Sequence, residues 1–169
     1  IDKDTSGLLV VAKNDLAHQG LCAQFFEHSI ERTYYAVVYG LPNPLNGRIE
    51  ANIGRSRFDR KKMAVLETGG KVAATNYKTL ENFNSAAALV QCNLETGRTH
   101  QIRVHMASIG HSIVGDPLYG IKKEKFNLNG QLLHAKTIGF VHPRTGKMME
   151  FTSDIPEYFE NVLEKLRKR

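Results

Sequence analysis

The sequence predicts an α+β fold, a mainly antiparallel mixed sheet with flanking helices. Three features carry this expectation. Short segments rich in apolar, aromatic and β-branched residues recur along the chain, as strands do. Gly-, Pro- and Asn-bearing connections join several of them directly, which suits hairpins. Helical patterns are few and do not alternate regularly with the strands, as a doubly wound parallel sheet would require.

Leu8 to Lys13 is a short apolar run and reads as a buried strand. Asn14 or Asp15 caps a helix expected to turn Leu16, Leu21 and Phe25 toward the core. Tyr34 to Tyr39 is a strand, and the prolines and asparagines of Leu41 to Gly47 make a turn. Strands follow at 48–53, 62–67, 71–83 and 86–94, with Gly69-Gly70 expected as a tight hairpin between two of them. Thr96-Gly97 breaks the pattern. Thr99 is expected to cap a helix running to about Ser108, with Ile102, Met106 and Ile109 on its buried face and Gly110 as its stop. Leu132 to Val141 and Met148 to Thr152 are strands around the Pro143–Gly146 turn. Pro156 opens a last helix carrying Tyr158, Phe159, Val162, Leu163 and Leu166.

A chain of 169 residues can bury one real core, and no Pro/Gly/Ser-rich linker divides it, so residues 1–169 are read as one domain. No apolar run approaches the roughly 20 residues of a membrane helix. The opening residues are polar and acidic, unlike a secretory signal. The chain opens at Ile1 and is read as a fragment of a longer protein. Cys22 and Cys92 form no CxxC pair, so two buried free thiols in a reducing cytoplasm are expected.

The net charge of +6 and pI of about 9.4 suit a polyanionic partner without identifying one. Arg55, Arg57, Arg60, Lys61 and Lys62 cluster with only Asp59 opposing them, which fits RNA contact as well as plain solvated charge. Lys122, Lys123 and Lys125 form a second cluster. Lys165, Arg167, Lys168 and Arg169 form a third, read as solvated surface.

Asp2, Asp4, Thr5 and Ser6 precede Gly7 in a segment that is either a polar turn or a catalytic loop. Arg98 and His100 flank a helix start, where partial positive charge makes cations unfavourable unless an anion is near. Asp2 and an RNA phosphate both qualify as that anion. Tyr34 is either a half-buried aromatic or a stacking platform for a base. His100, His105 and His111 fit no metal-ligand spacing, and no Gly-rich phosphate loop is present, so neither a metal nor a nucleotide cofactor is expected.

Taken together, these segments resemble the RluA/RluD-type pseudouridine synthases. Ile1-Asp2-Lys3-Asp4-Thr5-Ser6-Gly7-Leu8-Leu9-Val10 is similar to the family's central motif. Arg32 to Gly40 resembles its second motif and Thr96 to His105 its third. His111 to Gly120, Leu133-His134-Ala135 and Phe140-Val141-His142-Pro143 continue the likeness. The resemblance implies a pseudouridine synthase catalytic fold lacking its N-terminal strands and any RNA-binding module. It implies an isomerase that needs no cofactor. Asp2 would be the catalytic nucleophile, Tyr34 the ring stacked on the target base, and Arg98 the arginine paired with Asp2. The stretch from Ile53 to Val65 is closest to the branch acting on large-subunit ribosomal RNA. Structured RNA would be the partner, contacted by Arg55, Arg57, Arg60, Lys61, Lys62, His100 and Arg103, and the enzyme would be a cytoplasmic monomer. The central motif's preceding His-Arg pair is absent because the chain starts at Ile1. A non-catalytic RNA-binding protein and a metal-dependent hydrolase are the competing readings.

Overall fold

The structure, a computed structural model, describes residues 1–121 and 125–168. Its elements are β1 (Ser6–Gly7), α1 (Asp15–Phe26), β2 (Glu31–Tyr39), β3 (Asn46–Arg55), β4 (Met63–Leu66), β5 (Lys71–Phe83), β6 (Ala87–Leu94), α2 (Gln101–Ser108), β7 (Leu133–Val141), β8 (Met148–Thr152) and α3 (Glu157–Arg167). The strands form one sheet in the order β1-β7-β2-β6-β5-β3-β4, with β8 also on β7. Every named pair is antiparallel except β1 with β7. This is the α+β class expected from the hairpin pattern. Among the described residues no helix is long and apolar enough to cross a membrane.

The main core joins the centre of the sheet to the helices. Ala36, Val37 and Val38 of β2 and Leu89 and Val90 of β6 are buried with Ile102 and Met106 of α2 and Phe159, Val162, Leu163 and Leu166 of α3. Strands buried in this way read as continuous apolar runs. Ile109, expected on the buried face of α2, is exposed. α1 is capped by Asn14, whose side chain accepts from the Ala17 N–H at 2.9 Å. It buries only Leu21, whereas Leu16 and Phe25 are exposed.

The expected strand over Leu8–Lys13 does not form. Leu8, Val10 and Ala12 pack on Leu21, Ile30 and Ile138, while Leu9 and Val11 face solvent, so the segment keeps a strand's alternation. It lacks an edge to pair with. β1 occupies β7 at His134 and Ala135, and β8 takes the same edge from Thr137 onward.

Gly69-Gly70 is not the hairpin that was expected. β4 and β5 do not pair with each other; both pair with β3, one on each side. The chain crosses β3 here. A Cβ at Gly70 would stand 2.8 Å from the Ile53 carbonyl oxygen, and its φ is +74°, so the crossing needs glycine twice over.

Cys22 is exposed on α1, contrary to expectation, and Cys92 is buried on β6. Lys122, Lys123 and Arg169 of the basic clusters lie outside the described residues.

Candidate active site

Three stretches of chain meet at Ala135 of β7. Tyr34 stands opposite it on one side and Gly7 on the other. The β2–β7 register shifts between Thr33 and Tyr34, leaving Lys136 as an extra residue on β7. Such a bulge re-aims the side chains beside it. At Gly7 φ is +101°, and a Cβ would collide with the Ala135 carbonyl oxygen, so β1 closes on β7 only as glycine.

Upstream of Gly7 the chain folds back on itself. The Thr5 N–H donates to the Asp2 carbonyl at 3.1 Å, with Asp4 in the left-handed region at φ +66°. Gln131 Nε2 donates to the Lys3 carbonyl at 2.7 Å and to Thr5 Oγ1 at 3.0 Å. His134, 2% exposed, braces the same segment. Its Nδ1 is 2.9 Å from Ser6 Oγ and its Nε2 2.9 Å from Ser153 Oγ. Ser153 donates its own proton to the Ala135 carbonyl at 3.0 Å, which assigns Nε2–H as the donor and Nδ1 as the acceptor. Burial holds this imidazole below its ordinary pKa, with Ser153 opposing the shift and Lys136 adding to it.

The result is a cavity of about 390 Å³, within the size range of small-molecule sites, lined by Asp2, Thr5, Arg32, Tyr34, Gly97, Arg98, Thr99 and Gln101 among others. Arg32 and Tyr34 share it because residues two apart on a strand face the same side. Burial raises the Tyr34 pKa, Arg32 opposing and Asp2 adding, so the ring is a neutral phenol at pH 7. Arg32 lies over the Phe25 ring at 5.6 Å, and its Nε is buried without a hydrogen-bond partner.

The loop after β6 is held by one amide. Gln101 Oε1 accepts from Thr96 Oγ1 at 2.7 Å and from the Arg98 N–H at 2.9 Å, and its Nε2 donates to Ala74 O and Thr75 Oγ1. Arg98 is thereby fixed at the cavity wall, and its Nε donates to the Val72 carbonyl at 2.9 Å. Glu95 points elsewhere, engaged by Arg48 at 2.8 and 2.9 Å. His100, not Thr99, is the N-cap of α2. It sits in the left-handed region at φ +57° and makes no side-chain cap. Tyr119 Oη accepts from the Met63 N–H at 2.8 Å and is hydrogen-bonded to His100 Nδ1 at 2.8 Å.

The expected Asp2–Arg98 ion pair is not formed. Arg103 Nη1 stands 3.4 Å from Asp2 Oδ2 instead. Arg103 was expected on RNA, but it is 3% exposed and its remaining donors grip Asp116 at 2.8 and 2.9 Å. One turn of α2 explains the exchange: Arg98 precedes the helix and leaves along β5, whereas Arg103 projects from it toward both carboxylates. Burial favours neutral Asp116, but the Arg103 bonds and the N–H groups of Tyr119 and Leu118 outweigh it and hold the carboxyl below its usual value.

The structure therefore gathers Asp2, Tyr34 and Arg98 around one cavity. Arg55, Arg57, Arg60 and Lys61 are exposed on the β3–β4 hairpin, and Lys62 is half-buried there. Sequence reasoning gave no role to Arg32, Gln101, Asp116 or Tyr119. The period-two spacing from Arg32 to Tyr34 was a usable signal, as was Asp116, a lone acid in the apolar stretch from Ile113 to Leu118. Among the described residues no group of three His, Cys, Asp or Glu side chains is placed to hold a metal ion.

Residues 1–108 match the family model described as RNA pseudouridylate synthase. An uncharacterized RNA pseudouridine synthase of Bacillus subtilis is 52% identical over 99% of this chain and 54% of its own length. The ribosomal large subunit pseudouridine synthase D of Zymomonas mobilis is 50% identical over 93% of this chain and 51% of its own length. The chain thus spans about half the length of these curated relatives. Among solved structures, human RNA pseudouridylate synthase domain containing 1 superposes with a TM-score of 0.80 at 25% identity, covering 100% of this chain and 78% of that one.

Proposed function

The chain belongs to the RNA pseudouridylate synthase family, and from that premise we propose that it is the catalytic part of an enzyme that isomerises uridine to pseudouridine in RNA. Its substrate is large-subunit ribosomal RNA, as the name of the Zymomonas relative suggests, and it works as a monomer in the cytoplasm. The observation that carries the reading is one cavity shared by an aspartate, a neutral tyrosine ring and arginines.

The reaction breaks the N1–C1′ glycosidic bond, turns the uracil and joins C5 to C1′. The C5 proton is lost and N1 gains one, so product and substrate are isomers and no redox partner is needed. Cleavage builds positive charge on the sugar. The Asp2 carboxylate is the nucleophile that meets it, as carboxylates do in retaining glycosidases. Arg103 supplies the countercharge at 3.4 Å and fixes the direction of that carboxylate. The Tyr34 ring holds the detached uracil by its face, which leaves rotation free. Arg98 and Arg32 face the same space and suit the phosphates beside a flipped nucleotide.

The test uses full-length protein and RNA tritiated at uracil C5. Wild type releases tritium, and Asp2→Asn binds the RNA but releases none. Equal release by both overturns the role of Asp2. Release by neither, with binding intact, favours a non-catalytic RNA-binding protein.

A further inference from the structure

We propose that Phe58 is a base-stacking site: a preformed aromatic tip on the basic β3–β4 hairpin that stacks on an unpaired RNA base flanking the modified uridine. This rests on the RNA reading above and adds a contact outside the cavity.

Phe58 is 101% exposed, more than any other large apolar residue described. Its exposure does not come from a loose loop. Ser56 Oγ accepts from the N–H groups of Phe58 and Asp59, both at 3.2 Å. Asp59 Oδ1 accepts from the Lys61 N–H at 2.9 Å and the Asp59 carbonyl from the Lys62 N–H at 3.0 Å. The Ser56 N–H donates to the Lys62 carbonyl at 2.9 Å, and Arg55 Nη1 donates to the Arg60 carbonyl at 2.6 Å. A loop cross-braced in this way presents a ring that contributes nothing to the core.

The surroundings select the partner. Arg57, Arg60 and Lys61 are exposed on the same loop as Phe58, and the loop's one acid, Asp59, is turned into the loop's own hydrogen bonds. Cations that track phosphates, combined with an aromatic face that accepts any base, are the recurring composition of single-stranded nucleic-acid sites. Protein interface cores are depleted of lysine. A route also exists. A second cavity of about 440 Å³, lined by Met63, Lys71 and Gly70, shares Gly97, Arg98 and Thr99 with the Asp2 cavity. A strand whose uridine enters the Asp2 cavity would pass Arg98 and Lys71 and reach the root of this hairpin.

Full-length wild type, Phe58→Ala, Phe58→Leu and Phe58→Trp are compared on an unmodified large-subunit ribosomal RNA transcript tritiated at uracil C5. Phe58→Ala and Phe58→Leu should raise KM roughly 5- to 150-fold, the range expected for one stacked base, with kcat at saturating RNA unchanged. Phe58→Trp should keep the wild-type KM. In the Phe58→Trp protein, a short oligouridylate of about twelve residues should quench the new indole at low salt. These 169 residues contain no tryptophan, and the quench is read as the difference between the Phe58→Trp protein and full-length wild type. An Ala variant with wild-type KM, a Leu variant as good as Phe, or an unquenched indole overturns the proposal. A wild type inert on the transcript overturns the enzymatic reading alone, because indole quenching still decides whether Phe58 stacks.

Discussion

Arg103 reaches the Asp2 carboxylate at 3.4 Å while the rest of its guanidinium is locked on Asp116 at 2.8 and 2.9 Å. Asp116 has no solvent-exposed side chain, and it accepts from the N–H groups of Leu118 and Tyr119 as well. The 111–120 segment thereby acts as a bracket: it orients Arg103, and Arg103 orients Asp2.

That chain of contacts separates two arginines that look alike in sequence. Arg103→Lys cannot grip Asp116 with two parallel bonds and also reach Asp2, so kcat for tritium release should fall roughly 10²- to 10³-fold. Arg98→Ala leaves the bracket intact and should mainly raise KM. The opposite pattern would mean that Arg98 takes over Asp2 when RNA binds. Asp116→Asn should destabilise the fold by about 3–5 kcal/mol, read by urea unfolding, because it strips a buried cation of its main partner.

Gly97 faces the Arg32 guanidinium so closely that a Cβ would collide with Nη1. The obstacle is the end of a flexible side chain, so Gly97→Ala should fold with a change of under about 1 kcal/mol. Arg32 must swing aside, and KM for RNA should rise roughly tenfold, about the worth of one charge-assisted hydrogen bond. Arg32→Gln should show the same loss, and the double variant no more than either alone. Additive losses would show that Arg32 does not act from this position.

Much of this was legible in advance, and the failures have physical reasons. β5 and β8 fall at their expected limits, and β2, β6, β7 and α3 lie within a few residues of theirs, because apolar content and turn residues fix them locally. The strand over Leu8–Lys13 failed because its edge was already taken by β8, a fact about register more than a hundred residues away. Gly69-Gly70 failed because glycine serves a crossing as well as a turn. The spacing of Asp2, Tyr34 and Arg98 in sequence said nothing about their shared cavity; the resemblance did. Which arginine meets Asp2 depended on a single turn of α2, finer than sequence pattern resolves.

The two thiols should behave oppositely. Burial pushes Cys92 up to about 12, so it stays protonated and shielded. Cys22 is exposed on α1 with His18 Nε2 3.6 Å from its sulfur. Alkylation of native protein at pH 8, mapped by peptide mass spectrometry, should label Cys22 and spare Cys92 until denaturant is added. Labelling of Cys92 at the same rate would indicate that β6 opens readily.

Three imidazoles make the fold sensitive to mild acid. Burial lowers His134, His105 and His100 below the ordinary value, with Arg103 adding to the shift at His100. All are neutral in both states well above about pH 6.5, so their stabilising contacts are fully present there. As pH falls below that value the unfolded chain takes up protons that the folded chain resists. Stability is therefore lost progressively until the depressed folded values are passed. Asp116 acts in the same direction but at lower pH, since its depressed carboxyl loses its contribution only as pH falls through its folded value. The urea midpoint should thus drop between pH 7 and about pH 5, before carboxylate protonation matters. His134 carries a separable part of this loss, because its neutral ring ties Ser6 of β1 to Ser153. His134→Asn should lower stability at pH 7 yet flatten the decline toward pH 5. An unchanged slope would show that His134 is not the group whose protonation is being resisted.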